Sequence, residues 1–294
     1  MEFNQTIQEY QRIVNEQIEK HLRRQECPEK VLNEAVEYSL MAGGKRLRPI
    51  LMLQTYQLFA QDIEVCMPFA IAMEMIHNFS LIHDDLPAID NDDFRHGKLT
   101  NHKKFNESTA IIAGDSLFNQ AYIVLAEALL EKSEKQAEKL MAFQEFTNSV
   151  DKMILGEYLD TEWEGKQIGE TYLEYIHQNK TGALLTACVR IGALLGGASQ
   201  ADMETLSQYA EKIGLTFQIK DDILSEIGDE AVLGKPVGND KEKGKCTYVT
   251  KYGLEKAKEV LDKLTKEAVE IAKTFGEKGT FLKELAIYIE QRNK

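Results

Sequence analysis

Five aspartates lie within ten residues of this sequence, directly after an apolar run. The stretch SLIHDDLPAIDNDD, residues 80–93, carries Asp84, Asp85, Asp90, Asp92 and Asp93. Like charges at this spacing repel, and a carboxylate resists burial unless a cation or hydrogen-bond donors compensate it. Magnesium is such a cation, since it takes oxygen ligands and is often held by one or two carboxylates together with substrate phosphates. The spacing therefore predicts a magnesium site that handles a phosphorylated substrate.

A second aspartate pair, Asp221 and Asp222, occurs far along the chain in GLTFQIKDDIL. Gln218 and Ser225 stand three residues on either side of this pair, so all four side chains lie on one stripe of a helix. Gln218 lies one turn before Asp221, where its amide can reach the reacting carbon of a substrate. Both pairs are expected at helix ends, where negative charge opposes the helix dipole and calls for a cation. We expect the two clusters to face each other and to hold a diphosphate through bridging Mg²⁺ ions.

Basic residues follow a glycine pair in the stretch MAGGKRLRPILML. Lys45 and Arg48 are three residues apart on one side of a predicted helix, whose free N–H groups favour anions. Pro49 suits the first turn of that helix. The phosphate-binding pattern GxxxxGK[ST] is absent. Taken alone, the stretch also fits a helix stop followed by solvated charges.

The elements that position these residues are predicted to be helices. Apolar residues recur at three- and four-residue spacing almost throughout, without sustained strand alternation. With only 5 prolines and 19 glycines in 294 residues, breaks are few. We predict one all-α domain of about ten helices spanning residues 1–294. The segments 65–83 and 181–194 are apolar on more than one side and should be central.

Composition narrows the possible partners. Asp and Glu outnumber Lys and Arg by 48 to 35, which gives a formal charge of −13. This charge disfavours a broad electrostatic surface for nucleic acid or anionic membrane. The four cysteines form no CxxC pair, and no export signal or membrane-spanning run is visible. We expect a cytoplasmic protein with reduced thiols and no membrane span.

The combination of motifs resembles a known family. GGKRLRP, LIHDDLPAIDNDD, AGD, KTGALL, GLTFQIKDDIL and LGKPVGND occur in the order and spacing of the short-chain trans-isoprenyl diphosphate synthases. The resemblance covers nearly the whole chain and is strongest to the bacterial farnesyl-producing members. It implies an isoprenoid-synthase helical bundle with a central active-site cavity, normally a homodimer. It also implies condensation of isopentenyl diphosphate with dimethylallyl or geranyl diphosphate, to give farnesyl diphosphate (C15) and pyrophosphate.

The resemblance also implies roles for individual residues. The metal ligands would be Asp84, Asp85, Asp90, Asp221 and Asp222, holding three Mg²⁺ ions, with Mn²⁺ as a possible substitute. The allylic diphosphate would be bound by Arg95, Lys180, Lys235 and Lys245. Isopentenyl diphosphate would be bound by Lys45, Arg48, His77 and His96. The residues beside the reacting carbon would be Lys180, Thr181 and Gln218.

Chain length is expected to depend on the depth of the prenyl cavity. Phe79, five residues before Asp84, matches the position where farnesyl-producing members carry an aromatic floor. Ideal helical geometry places Ser80 more directly beneath Asp84, with Phe79 to the flank. The C15 prediction therefore rests on the resemblance, and ordinary core is the alternative interpretation of Phe79.

Several positions depart from the family pattern. His96 stands where a second arginine usually follows Arg95, and a histidine with an ordinary pKa cannot give a permanent charge. Ser225 replaces the last aspartate of the second motif, and Glu157 replaces a usual glutamine. Cys246 replaces a serine, and Asn106 stands where glycine is common. These changes gather around the predicted site.

Two alternatives remain open at this point, and two others are disfavoured. The first is a geranylgeranyl (C20) synthase, and the second is a catalytically weak regulatory subunit of a heteromeric synthase. Such subunits commonly lose an aspartate motif, whereas both pairs are present here. A terpene cyclase would not need Lys45, Arg48 and His77 for a second diphosphate. A helical scaffold protein would leave the clustered charges unexplained.

Overall fold

The computed structural model describes residues 3–22, 27–166, 169–227 and 246–293. These residues form helices joined by short turns, together with one two-stranded hairpin. The predicted all-α class is confirmed.

The α-helices are, in chain order, α1 (Phe3–Glu19), α2 (Lys30–Leu40), α3 (Leu47–Tyr56), α4 (Met67–Asp84), α5 (Asn101–Lys104), α6 (Glu107–Leu130), α7 (Gln136–Glu162), α8 (Glu170–His177), α9 (Ala183–Gly196), α10 (Gln200–Ile227), α11 (Tyr248–Tyr252), α12 (Leu254–Lys273) and α13 (Thr280–Gln291). The other elements are β1 (Phe94–Arg95), β2 (Lys98–Leu99), a π-helical turn (Gln178–Gly182) and a 3₁₀ turn (Gly276–Gly279).

The chain divides into two compact units, and the boundary between them falls inside α3. The first unit comprises residues 1–50 and 64–136, and the second comprises 51–63 and 137–294. Each unit carries one of the two aspartate pairs. The prediction of a single domain over residues 1–294 stays a prediction.

In the first unit, α4 packs along α6 and forms the core. Most of α4 is buried, as its apolar sequence predicted. Pro68 lies in the first turn of α4, where its missing N–H costs nothing. The helix ends at Asp84, three residues before Pro87. The first aspartate pair is therefore at a helix C-terminus, as expected.

Asn106 begins α6 as its N-cap. Its side-chain oxygen accepts a hydrogen bond of 2.8 Å from the backbone N–H of Thr109. Capping by Asn satisfies an otherwise unpaired amide of the first turn. This contact explains an asparagine at a position where glycine is common in the family.

In the second unit, α10 packs on α9, α12 and α13. Helix α9 is largely buried, which confirms the prediction for 181–194. Its Gly192 lies against α3, since a Cβ there would be 2.3 Å from the carbonyl oxygen of Met52. The second aspartate pair lies inside α10, because that helix continues to Ile227. The expectation of a helix end at Asp221 and Asp222 was wrong. An unfavourable interaction with the C-terminal end of a helix dipole therefore applies only to the first aspartate pair.

A β-hairpin follows the first aspartate cluster, and the helical period did not predict it. Strands β1 and β2 are antiparallel, with Arg95 opposite Lys98. The turn residues His96 and Gly97 both have positive φ, 53° and 74°. Positive φ at both central residues is typical of the tight turns that match strand twist, and histidine is among the residues that tolerate it. The hairpin fixes Arg95 and His96 at adjacent positions in a tight turn.

Candidate active site

The first aspartate cluster is built by a reversal of the chain after α4. The backbone N–H of Asp90 donates a 2.9 Å hydrogen bond to the carbonyl of Asp84, the last residue of the helix. Asp84 and Asp90 are both partly exposed. This fold-back brings two predicted metal ligands together.

Asp85 has a different environment from Asp84. It is buried, at 3% relative exposure. Arg95 donates to both of its carboxylate oxygens, from Nε at 2.9 Å and from Nη2 at 2.6 Å. Burial raises the pKa of Asp85 to about 6, although Arg95 acts in the opposite direction. Burial also opposes the charge on Arg95, but the bonds to Asp85 outweigh it and raise the arginine pKa. Both groups are charged at pH 7.

The remaining aspartates of the stretch belong to the hairpin. The backbone carbonyl of Asp92 accepts a 2.8 Å hydrogen bond from the Thr100 hydroxyl. The side chain of Asp93 pairs with Lys103 at 2.8 Å, and both groups are exposed. These contacts tie the hairpin to α5, while the charge of Asp92 still acts on Asp85 and Arg95.

The glycine pair and its basic residues form a cationic cluster beside α4. Arg48 Nη1 lies 3.1 Å from His77 Nε2, so a neutral imidazole accepts the bond. Burial, followed by the charge of Arg48 and neighbouring arginines, holds the pKa of His77 well below its ordinary value. A Cβ at Gly44 would lie 3.7 Å from Nε2 of His96. The structure thus brings the predicted binding residues for isopentenyl diphosphate close together.

His96 is exposed, but its ring lies among positive charges. Partial burial, and then the charges of Arg95, Arg46 and Lys45, lower the pKa of His96 below its ordinary value. The imidazole is therefore neutral at pH 7 and donates no full charge to an anion. A neutral histidine at this position should bind diphosphate less strongly than an arginine would.

Arg46 is a functional candidate that the sequence reasoning missed. It is buried, with a positive φ of 52°, and forms an ion pair with Glu74 at 2.7 Å. It also donates to Asn15 Oδ1 at 3.0 Å and to the carbonyl of Leu40 at 2.5 Å. These bonds anchor the loop that carries Lys45. An acidic residue inside the apolar run of α4 was the available signal, because a buried carboxylate requires a partner.

In the second unit, Lys180 and Thr181 lie in the π-helical turn between α8 and α9. Such turns are rare and frequent at functional sites. Lys180 Nζ is 2.7 Å from Asp160 and 2.9 Å from Glu157, both on α7. Thr181 donates a 2.7 Å hydrogen bond to the Gln218 side chain. The predicted group of Lys180, Thr181 and Gln218 is thus tied to α7 and α10.

Asp222 is the inward-facing member of the second pair, at 4% exposure. Its oxygens accept hydrogen bonds from Gln218 at 3.0 Å and from the backbone N–H of Tyr248 at 2.7 Å. His177 Nε2 lies 3.7 Å from the same carboxylate, and burial lowers the pKa of His177 to about 4. Ser225, one turn further along the helix, is buried as well. His177 and Tyr248 were not predicted, since no spacing rule connects them to α10.

Asp221 is the more open member of the second pair, with 43% of its side chain exposed. Arg292, which follows α13, donates to its Oδ1 at 2.5 Å and to the carbonyl of Phe217 at 3.1 Å. The guanidinium also lies 4.0 Å from the centroid of the Phe217 ring. This pairing with the last helix was not predicted, because 71 residues separate the partners.

Two predicted diphosphate-binding residues, Lys235 and Lys245, lie outside the described residues. Cys246 is the first described residue after them. Partial burial raises the pKa of its thiol, so the side chain is protonated at pH 7.

Phe79 and Ser80 occupy neighbouring positions on α4. The Phe79 ring packs edge-on against Phe118 of α6 and against His83, at centroid distances of 5.1 and 4.9 Å. The Ser80 hydroxyl donates to the His77 carbonyl at 2.9 Å, within its own helix. Their roles in chain length stay predictions. His83 Nε2 is 3.0 Å from the Ile111 carbonyl, so this histidine packs on α6.

The donor set fits magnesium held jointly by protein and substrate. Within the described residues, no group of three or more His, Cys, Asp and Glu side chains could hold a metal ion by itself. Mg²⁺ usually keeps several waters and is bound through one or two carboxylates plus substrate phosphates. The partly exposed carboxylates of Asp84, Asp90 and Asp221 suit that mode, whereas Asp85 and Asp222 are buried.

Comparison with curated proteins places the chain among enzymes of one type. The model of the polyprenyl synthetase family matches residues 29–284. The chain is 44% identical over 264 residues to farnesyl diphosphate synthase of Micrococcus luteus, covering 90% of each chain. It is 42% identical over 267 residues to large subunit 1 of a heterodimeric geranylgeranyl pyrophosphate synthase of Arabidopsis thaliana, covering 89% of this chain and 72% of that one.

Solved structures agree with the sequence comparison. Geranyltransferase of Legionella pneumophila superposes with a TM-score of 0.86 at 32% identity, covering 99% of this chain and 97% of that one. Geranyltransferase of Helicobacter pylori, complexed with magnesium and isoprenyl diphosphate, gives a TM-score of 0.84 at 26% identity, covering 98% and 96%.

Proposed function

Because the chain belongs to the polyprenyl synthetase family, we propose that it is a farnesyl diphosphate synthase of the geranyltranstransferase type. It condenses isopentenyl diphosphate with dimethylallyl or geranyl diphosphate and releases pyrophosphate. The observation that carries this conclusion is the 44% identity to a farnesyl diphosphate synthase over 90% of both chains.

The allylic diphosphate must first be bound and its bond to carbon weakened. Arg95 and Lys180, together with Lys235 and Lys245, bind its oxygens. The aspartates would hold magnesium, which would supply positive charge to stabilise the pyrophosphate leaving group. We assign the open carboxylates, Asp84, Asp90 and Asp221, to direct metal contact. Asp85 and Asp222 then position the residues around them.

The acceptor is bound by the cationic cluster beside α4. Lys45, Arg48 and His77 bind the diphosphate of isopentenyl diphosphate, and His96 adds a hydrogen bond. When the allylic C–O bond breaks, the double bond of isopentenyl diphosphate attacks the carbocation and a proton is lost to pyrophosphate. In this proposal the Thr181 hydroxyl and the Gln218 amide stabilise the positive charge of the carbocation. No protein nucleophile is required.

The proposed function also includes the metal ions, the length of the product and the oligomeric state. We propose three Mg²⁺ ions, replaceable by Mn²⁺, and a C15 product limited by Phe79. We also propose a cytoplasmic homodimer. Support for the dimer comes from α6, where Ile112, Ile123 and Leu130 share one face and are 52%, 39% and 84% exposed.

The same helix, Glu107–Leu130, is long and apolar enough to cross a membrane by length and composition, although 44% of its apolar window is buried inside the protein. The sequence analysis predicts no membrane-spanning segment. The buried face of this helix packs on α4. Its apolar composition is therefore accounted for by one face in the core of the first unit and a second, exposed apolar face.

The decisive experiment sizes the product. Purified protein is incubated with Mg²⁺, isopentenyl diphosphate and either allylic substrate, and the dephosphorylated alcohols are separated. A C15 alcohol that disappears with a chelator supports the proposal, whereas a C20 alcohol identifies a geranylgeranyl synthase. Absence of turnover by folded protein favours the regulatory subunit of a heteromeric synthase.

A further inference from the structure

Lys180 is held by two carboxylates from one helix. Its ammonium lies 2.7 Å from Asp160 Oδ2 and 2.9 Å from Glu157 Oε2. The three side chains are similarly shielded, with 21% to 22% of each exposed. A charge pair at this depth is screened less by solvent than a surface pair. Glu157 is also one of the departures from the family pattern.

The position of Glu157 is imposed by backbone packing. The preceding residue, Gly156, lies directly against the π-helical turn, where a Cβ would be 2.2 Å from the backbone nitrogen of Lys180. Helix α7 cannot move towards or away from Lys180 without disturbing this contact. Close packing of α7 on the π-helical turn therefore fixes the backbone positions from which the Glu157 carboxylate and the Lys180 ammonium meet.

The charge balance of these three side chains opposes an anionic ligand. One carboxylate suffices to neutralise one ammonium, and Asp160 makes the shorter contact. Glu157 adds a second carboxylate beside the same ammonium. A diphosphate that binds Lys180 must share it with both carboxylates, at distances where like charges repel.

We propose that Glu157 is a specificity-determining residue that weakens the binding of diphosphate to Lys180. The inference rests on the proposed function, since it assumes that Lys180 binds the diphosphate of substrate and product. Its consequence is a lower affinity for the allylic substrate and a faster release of pyrophosphate. Glu157 neither enters the reaction nor binds metal in this scheme.

The test compares pyrophosphate binding by the wild type and Glu157→Gln, using calorimetric titration of the intact protein with Mg²⁺ and inorganic pyrophosphate. Glutamine keeps the shape and removes the charge. We expect the dissociation constant to fall by about threefold to thirtyfold, with the gain shrinking as salt is raised. The inhibition constant of pyrophosphate in steady-state assays should fall by the same factor.

A matched control lies on the same helix. Glu162 pairs with Lys166 at 2.7 Å, with half of each side chain exposed, so Glu162→Gln makes the same chemical change outside the site. It should leave the pyrophosphate affinity within about twofold of the wild type. If Glu157→Gln does not fold, as judged by thermal unfolding, Glu157→Ala removes the same charge.

The outcomes separate this inference from the proposed function. Unchanged or weaker pyrophosphate binding in the Glu157 variants would overturn the inference. Unchanged binding would mean that the carboxylate has no effect on pyrophosphate, and weaker binding would mean that it orients Lys180 towards the anion. Failure of the wild type to bind pyrophosphate with Mg²⁺ would overturn the proposed function and this inference together.

Discussion

Each aspartate pair contains one buried carboxylate and one more open carboxylate. Asp85 and Asp222 are 3% and 4% exposed and accept hydrogen bonds from protein donors. Asp84 and Asp221 are partly exposed. Since identical side chains in adjacent positions differ this much, substitutions within one pair should have different consequences.

We predict that Asp84→Asn mainly impairs metal use, whereas Asp85→Asn mainly impairs folding. Asp84→Asn should raise the Mg²⁺ concentration for half-maximal activity by about tenfold or more, because one ionised oxygen ligand is lost. Asp85→Asn leaves the Arg95 guanidinium without its carboxylate, which should cost about 1–3 kcal/mol of stability. Magnesium titrations and urea unfolding of both variants measure the two effects. Equal behaviour of the two variants would contradict the division of roles.

His96 is the site residue whose charge depends most on its surroundings. We predict that His96→Arg lowers the Michaelis constant for isopentenyl diphosphate by about threefold to tenfold near neutral pH, since arginine supplies a permanent charge. In the wild type the lowered pKa keeps His96 neutral at pH 7, so the Michaelis constant should fall only as the pH drops below the ordinary histidine pKa of about 6.5 and the ring is protonated.

The pH profile separates the charge of His96 from other effects. In His96→Arg the part of this pH dependence due to position 96 should vanish, while the Michaelis constant for the allylic substrate stays within about twofold. An unchanged Michaelis constant for isopentenyl diphosphate in the variant would show that His96 takes no part in binding.

At the scale of elements, the site depends on close backbone contacts. Gly156 of α7 allows that helix to lie against the π-helical turn, and Gly214 of α10 would place a Cβ 2.9 Å from the Cα of Gly182 in the same turn. Such approaches exclude any side chain. The turn carrying Lys180 and Thr181 is therefore held on two sides by glycines, in addition to its side-chain hydrogen bonds.

We predict that Gly156→Ala lowers the free energy of unfolding by about 1–3 kcal/mol, because the added methyl overlaps the Lys180 backbone. Activity should fall as well, since the turn must shift. Gly169→Ala is the control, because nothing lies within 4 Å of a Cβ there. Thermal and urea unfolding give the comparison, and equal stabilities of the two variants would refute the contact.

At the scale of the whole molecule, the exposed apolar face of α6 is the clearest basis for self-association. Ile112, Ile123 and Leu130 lie within about 20° of one another around the helix axis, and the exposed Asn119 lies on the same line between the first two. Large apolar side chains that are exposed together on one helix face are unusual on a monomer. Charged residues beside them do not argue against an interface.

We predict that Ile112→Lys converts a dimer into a monomer, because an ammonium in the centre of an apolar interface loses its hydration. Val31→Lys is the control, since Val31 is similarly exposed, at 56%, but lies on α2. Light scattering coupled to gel filtration measures the mass. A monomeric wild type, or a dimeric Ile112→Lys, would exclude α6 as the interface.

Much of this organisation follows from local sequence alone. The apolar period determines the long helices, Pro87 forces the exit from α4, and the spacing of Gln218, Asp221 and Asp222 places them on one face of α10. The motifs also determine the family, since their order and spacing span the chain. These properties depend on residues that are near one another in sequence, where backbone geometry sets the outcome.

Only the tertiary structure decided which charged groups are paired. Arg95 could have served any of the nearby aspartates, yet it binds Asp85, while Asp221 is bound by Arg292 from the end of the chain. The two carboxylates on Lys180 depend on the approach of Gly156 to the π-helical turn. Motif spacing therefore predicts which residues belong to the site. Burial and long-range packing determine which of them remain open to substrate and metal, because the cost of desolvating a charge depends on everything that surrounds it.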